Sequence, residues 1–145
     1  MITTRVQREA FDAAYEAAAL TAGRSDIGAL VTFTGLVRTD ENLAALTLEH
    51  YPAMTARQLA AIAAEAESRW PLLGGIIVHR HGRLLPGEAI VLVAIASAHR
   101  APAFAAAEFL MDWLKTRAPF WKHDGADWVP AKATDETAAK RWERP

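Results

Sequence analysis

Lys115 and Lys122 flank a proline in the string Leu114-Lys115-Thr116-Arg117-Ala118-Pro119-Phe120-Trp121-Lys122. Three cationic side chains and two large aromatics lie within it. Upstream, Phe104, Ala107, Leu110, Met111 and Leu114 recur at helical spacing. Proline lacks a backbone N–H and pushes the preceding residue out of the α region. The helix is therefore expected to end near Ala118, with the chain leaving it extended. Lys115 then sits on the last turn of a helix, and Lys122 on the following strand or loop. Two amines held this way can converge on one small anion. Mutual repulsion between cations also frees some amine for proton transfer or nucleophilic work. The same residues equally suit a plain helix end, since cations favour the negative end of the helix dipole and large aromatics favour a core.

Other residues carry chemistry of the same sign. His99-Arg100 precedes a helix expected from Ala101-Pro102, where unpaired N–H groups attract anions. Thr34-Gly35-Leu36-Val37-Arg38 ends an apolar strand with a glycine and an arginine. His79 and His81 would share one strand face, and His50 lies on another strand, but no carboxylate completes a metal set. Gly74-Gly75 is not followed by the pattern of a phosphate loop, and no serine sits in a nucleophile elbow. There is no cysteine, so disulfides, thiolate ligands and a cysteine nucleophile are excluded together. Any sulfur chemistry would need sulfur brought from outside. No resident metal or cofactor is called for.

The elements that must position these groups follow from the pattern. Ile2 to Val6 suggests a short strand. Arg8 to Leu20 suggests a helix, with Gly23 as its stop. Gly28 to Gly35 and Leu46 to Tyr51 read as strands, with Pro52 closing the second. Thr55-Ala56-Arg57-Gln58 fits a capping box for a helix reaching Trp70. Gly75 to His81 is a strand, Leu85-Pro86-Gly87-Glu88 a type II turn, and Ala89 to Ala96 a buried central strand that returns beside it. Pro102 suits the first position of the helix that carries Lys115. Ala126 to Val129 reads as a short strand and Thr134 to Trp142 as a final helix. The order is roughly βαββαββαβα, an α+β domain with a mostly antiparallel sheet.

The bulk numbers narrow the function classes. The 145 residues suit one domain, residues 1–145, and a 52% hydrophobic share is enough for a real core. A net charge of −1 speaks against a nucleic-acid binder working by bulk charge, so any anion site must be local. The N-terminus lacks the apolar run of a signal peptide and no segment reads as a bilayer span. A cytoplasmic protein is expected.

Four segments together resemble the MoaE family, the large catalytic subunit of molybdopterin synthase. They are Val31 to Gly35 with Val37-Arg38, Leu46 to Pro52, Ser97 to Arg100, and Met111 to Lys122. The resemblance runs in order from about Gly28 to Ala139-Lys140-Arg141-Trp142. It implies an α/β hammerhead-type fold and a homodimer at the centre of a heterotetramer. The implied partner is a small ubiquitin-like sulfur carrier whose C-terminal Gly-Gly thiocarboxylate enters a pocket of the large subunit. There it would give sulfur to cyclic pyranopterin monophosphate, forming the molybdopterin dithiolene. By motif, Lys115 and Lys122 are implied as catalytic. Arg38, His99 and Arg100 are implied as binding the substrate, and Leu36, Val37, His123 and Asp124 as lining the same pocket. Some family members carry lysine at the position of Leu36. The alternative is a non-catalytic regulatory α+β domain that binds a phosphorylated metabolite with the same cations. A purely structural dimer module explains neither the lysine pair nor His99-Arg100.

Overall fold

A computed structural model describes residues 1–39, 45–123, 128–129 and 133–143. Among these, the elements are β1 (Ile2–Gln7), α1 (Ala13–Thr21), β2 (Ala29–Leu36), β3 (Leu46–His50), α2 (Pro52–Arg69), β4 (Gly74–Arg80), β5 (Gly82–Leu84), β6 (Ala89–Ser97), α3 (Arg100–Arg117), β7 (Phe120–His123), β8 (Trp128–Val129) and α4 (Ala133–Lys140). They form two four-stranded sheets, β1-β4-β6-β2 and β5-β3-β7-β8. Only the β1–β4 pair is parallel among these pairings, so the fold is α+β with mostly antiparallel sheets.

The larger sheet is covered on both faces. Side chains alternate across a strand, so Ile77, Val91, Val93 and Ile95 face α2 and α3 and pack on Leu59, Ile62, Phe109, Leu110 and Leu114. Ile76, Val78, Leu92 and Ala94 face the other way, toward Phe11, Ala13 and Leu20. That double burial explains why β6 reads as a continuous apolar run instead of an alternating one. The second sheet has its own small core of Val37, Leu46, Leu48 and Leu84.

Several sequence expectations shift by a few residues for identifiable reasons. Pro52 does not merely close β3. It opens α2, where a missing N–H costs nothing. Thr55 is consequently inside the helix and is no capping residue: its hydroxyl donates to the Tyr51 carbonyl (2.9 Å) and meets His50 Nδ1 (2.9 Å). Pro102 is the third residue of α3, still within the turn whose N–H groups need no helical partner. β5 was not foreseen, since three residues are too short to show a period. The turn before β6 forms as expected, with Gly87 at φ +89° and Glu88 N–H donating to Leu85 O (3.0 Å).

Candidate functional site

Helix α3 leaves the end of β6 and runs back alongside β2, so its two ends meet the two ends of that strand. Ala103, Ala106, Phe109, Leu110 and Leu114 bury its inner face. Phe104, expected on that face, is instead 62% exposed. The helix ends at Arg117, and Ala118 is extended (φ −76°, ψ 136°), as Pro119 requires. Phe120 N–H then donates to Ala118 O (2.8 Å), and β7 begins at once.

At this C-terminal end a cavity of about 130 Å³ opens between the two sheets. Phe33 and Leu36 of β2, Leu46 and Leu48 of β3, Ile90 and Val91 of β6, and Met111 and Leu114 of α3 make its walls apolar. Lys115 and His79 are the ionisable side chains on its lining among the described residues. Lys115 is exposed on the last turn of α3, so its amine is reachable from solvent. Arg38 stands at the same end: Val37 N–H donates to Glu88 O (2.8 Å) and Gly87 N–H to Val37 O (2.7 Å), which pins the chain just before it. Val37 itself points into the small core of the second sheet. Lys122 pairs with Leu48 of β3 and Val129 of β8, and His123 with Thr47 and Trp128, so β7 runs beside the cavity wall. Asp124 lies outside the described residues.

His79 is buried at 9% exposure, and its ring lies face to face with Phe120 at 3.8 Å between centroids. Its Nδ1 donates to the Arg80 carbonyl (2.8 Å). Burial pushes the imidazole down to about 4, against the pull of that carbonyl, and Lys115, His50 and His81 push the same way. The stack continues through Phe120 to His50 (5.5 Å) and from His50 to His81 (4.4 Å). Burial also lowers His50 and His81, with the Arg8 charge adding to both. His79 and His81 thus serve different neighbours and do not present one ligand pair. Sequence reasoning missed His79 and Phe120 as parts of this site. The available signal was a His-Arg pair closing an otherwise apolar buried strand.

His99 and Arg100 occupy the other end of α3. Both are exposed, and with Gly28, Ala98 and Ala101 they line a shallow recess. A Cβ at residue 28 would lie 2.2 Å from the Ala98 carbonyl oxygen, so only glycine lets β2 start this close to the helix. His99 is the N-cap and makes no side-chain capping bond, which leaves the first helical N–H groups without that partner. Fifteen residues at 1.5 Å each place Arg100 about 22 Å from Lys115 along the helix. One chain therefore brings Lys115, Leu36 and Arg38 to one end and His99 and Arg100 to the other. It does not bring all of them to one anion.

Comparison with known proteins adds four findings. Residues 6–117 match a family model described as MoaE protein. The molybdopterin synthase catalytic subunit of Mesorhizobium japonicum is 58% identical over 147 residues, covering 97% of this chain and 92% of that protein. Among solved structures, a molybdopterin biosynthesis MoaE protein from Burkholderia ambifaria superposes with a TM-score of 0.86 at 53% identity, covering 98% of each chain. A molybdopterin synthase from Staphylococcus aureus gives 0.76 at 32% identity, covering 86% of this chain and 94% of that one.

Proposed function

The chain belongs to the MoaE family, and we infer that it is the catalytic subunit of a molybdopterin synthase, a sulfur-transferring enzyme of molybdenum cofactor biosynthesis. The observation that carries the reading is Lys115, held by a rigid helix end at the mouth of an apolar-walled cavity, with Arg38 two residues past Leu36 of its wall. Sulfur reaches the site as the C-terminal thiocarboxylate of a small ubiquitin-like carrier, because this chain has no cysteine to carry it. The acceptor is cyclic pyranopterin monophosphate. Acceptor and donor are both anionic, and a local group of cations offsets their repulsion in a site of low polarity. Lys115 and Lys122 hold the reacting groups and move protons as sulfur adds. Relatives described as catalytic subunits favour this over a regulatory metabolite-binding domain.

The 22 Å between the two cationic ends gives the assembly a role in the chemistry. β2 is the edge of the larger sheet, and Leu30, Phe33 and Leu36 on it are 38%, 43% and 59% exposed. Leu30 and Phe33 lie on opposite faces of this free edge, Phe33 on the side where Ala29 and Val31 meet α3, so the edge is apolar on both sides, which suits a two-fold contact between copies. A two-fold axis across that face runs the partner's β2 antiparallel to this one. It sets the partner's His99 and Arg100 end against the Lys115 end, so that each site takes amines from one subunit and phosphate donors from the other.

Mixing two inactive variants tests both parts. Lys115→Ala and Arg100→Ala homodimers should each be nearly inactive with a thiocarboxylated carrier. After exchange of subunits, half the dimers are mixed, and each mixed dimer holds one intact site of two. About a quarter of wild-type turnover should return if sites are shared across a two-fold interface. No recovery would place all the groups in one subunit. Full turnover by either homodimer would remove that residue from the site.

A further inference from the structure

His79 has no part in the implied chemistry, yet it is the only imidazole on the lining of the Lys115 cavity among the described residues. Three constraints fix it. Its residue is buried in β4, its ring is clamped flat against Phe120 at 3.8 Å and 15°, and its Nδ1 is committed to the Arg80 carbonyl at 2.8 Å. A carbonyl oxygen only accepts, so Nδ1 carries the hydrogen and the lone pair is on Nε2. Arg80 cannot let go easily: its guanidinium bonds Arg8 O, Ala89 O and the Glu88 carboxylate. The ring is thus presented in one tautomer and one orientation by groups that are themselves held. The rest of the described lining offers Lys115 only apolar side chains.

We propose that His79 is a positioning residue for Lys115, its Nε2 lone pair accepting the Lys115 ammonium directly or through one water and so fixing where that amine meets substrate. A neutral acceptor suits this task better than a carboxylate. It orients the amine without competing with two anionic reactants for its charge. The imidazole stays neutral at physiological pH because burial holds it near 4, with Lys115, His50 and His81 as the titratable groups acting on it from α3, β3 and the end of β4. This role rests on Lys115 being a working amine of the sulfur-transfer site, and one arm of the test does not depend on that reaction.

The first arm is nitrogen NMR of the imidazoles in the full-length protein. Nε2 of His79 should be the unprotonated nitrogen at pH 7, and the titration of His79 should move upward from about 4 in Lys115→Met. A protonated Nε2, or a titration that ignores Lys115→Met, overturns the proposal whether or not the protein transfers sulfur. The second arm is kinetic. His79→Phe keeps the stack on Phe120 but removes the acceptor, and should lower kcat about ten- to thirtyfold with KM little changed, the scale of one hydrogen bond to a charged group. His79→Gln, which restores an acceptor, should recover most of that loss. Unchanged kcat in a folded His79→Phe, or equal losses in both variants, would make His79 a wall and nothing more.

Discussion

The two sheets of this protein do different work, and their contrast tells where its chemistry can sit. In the larger sheet every residue of β4 is buried, as are seven of the nine in β6, and helices cover both faces. Among the described residues the second sheet closes on four buried apolar side chains, and its strands are two to five residues long. The cavity lies where the two meet, with one wall from each. The rigid sheet supplies His79 and, through α3, Lys115. The small sheet supplies Leu46 and Leu48, held by a much smaller core, and Phe120, pinned by its stack on His79. A site at such a seam has a fixed side and an adjustable side.

Separating stability from turnover is the sharpest way to break this picture. Lys115→Ala should lower turnover about 10²–10⁴-fold, the range for loss of a proton-transfer group, while leaving the melting temperature unchanged. Lys115 is exposed and takes part in no salt bridge among the described residues. Steady-state rates and a thermal melt on the same sample decide it. A large drop in melting temperature would mean that Lys115 holds the seam together.

Arg80 ties the end of β4 to the chain after β1 and to the turn before β6. Its side chain is 9% exposed and bridges Arg8 O, Ala89 O and Glu88 (2.9 Å). Arg80→Met should cost about 2–3 kcal/mol, because two partly buried carbonyls and a half-exposed carboxylate lose their donor. Urea unfolding measures this, and a cost under about 1 kcal/mol would show that water replaces the guanidinium freely.

A matched pair of cavity mutants compares the sheets directly. Leu92→Ala in the doubly covered sheet should destabilise by about 3–5 kcal/mol and leave the rate per folded molecule intact. Leu48→Ala, in the small core and on the cavity wall, should cost nearer 2 kcal/mol but slow turnover more. The reverse ranking, read from denaturant midpoints and kcat, would erase the distinction between a fixed and an adjustable side.

The smallest expected effect is that of mild acid. His79, His50 and His81 are all held below the usual histidine value of 6.5 in the folded protein. Between 6.5 and about 4 the unfolded chain therefore binds more protons, and stability falls as pH falls through that window. The rings stack across the seam, so hydrogen exchange in β3 and β7 should accelerate before exchange in β4 and β6. A stability profile flat from pH 7 to pH 4.5 would show that the rings accept protons without cost.

How much of this could be read from residues alone follows the same divide. The long strands and α3 were legible, since Ile76–Val78 are β-formers, Ala89–Ala96 is an unbroken apolar run, and Pro119 marks the helix end. β5 and the stack of Phe120 on His79 were not, because short strands carry no period and the stack joins residues 41 positions apart. Lys115 and Arg38 were found by residue type, and both stand at the same end of β2. His99 and Arg100 were grouped with them because sequence order records which residues neighbour a helix, but not which end of it they occupy.

Helix α3 also constrains how the chain can vary in length. Eighteen helical residues span about 27 Å and the eight residues of β2 about 26 Å, so the two elements are matched end to end. One residue inserted into α3 would turn everything beyond it by about 100° and carry Lys115 off the cavity. One residue inserted into β2 would send Leu36 to the opposite face. Neither slip can correct the other, because a helix returns to phase only after several residues and a strand after two. This segment of the protein is a gauge block: between residues 29 and 36 and between 100 and 117 geometry fixes the count, and only the loops outside it can change length without moving the site.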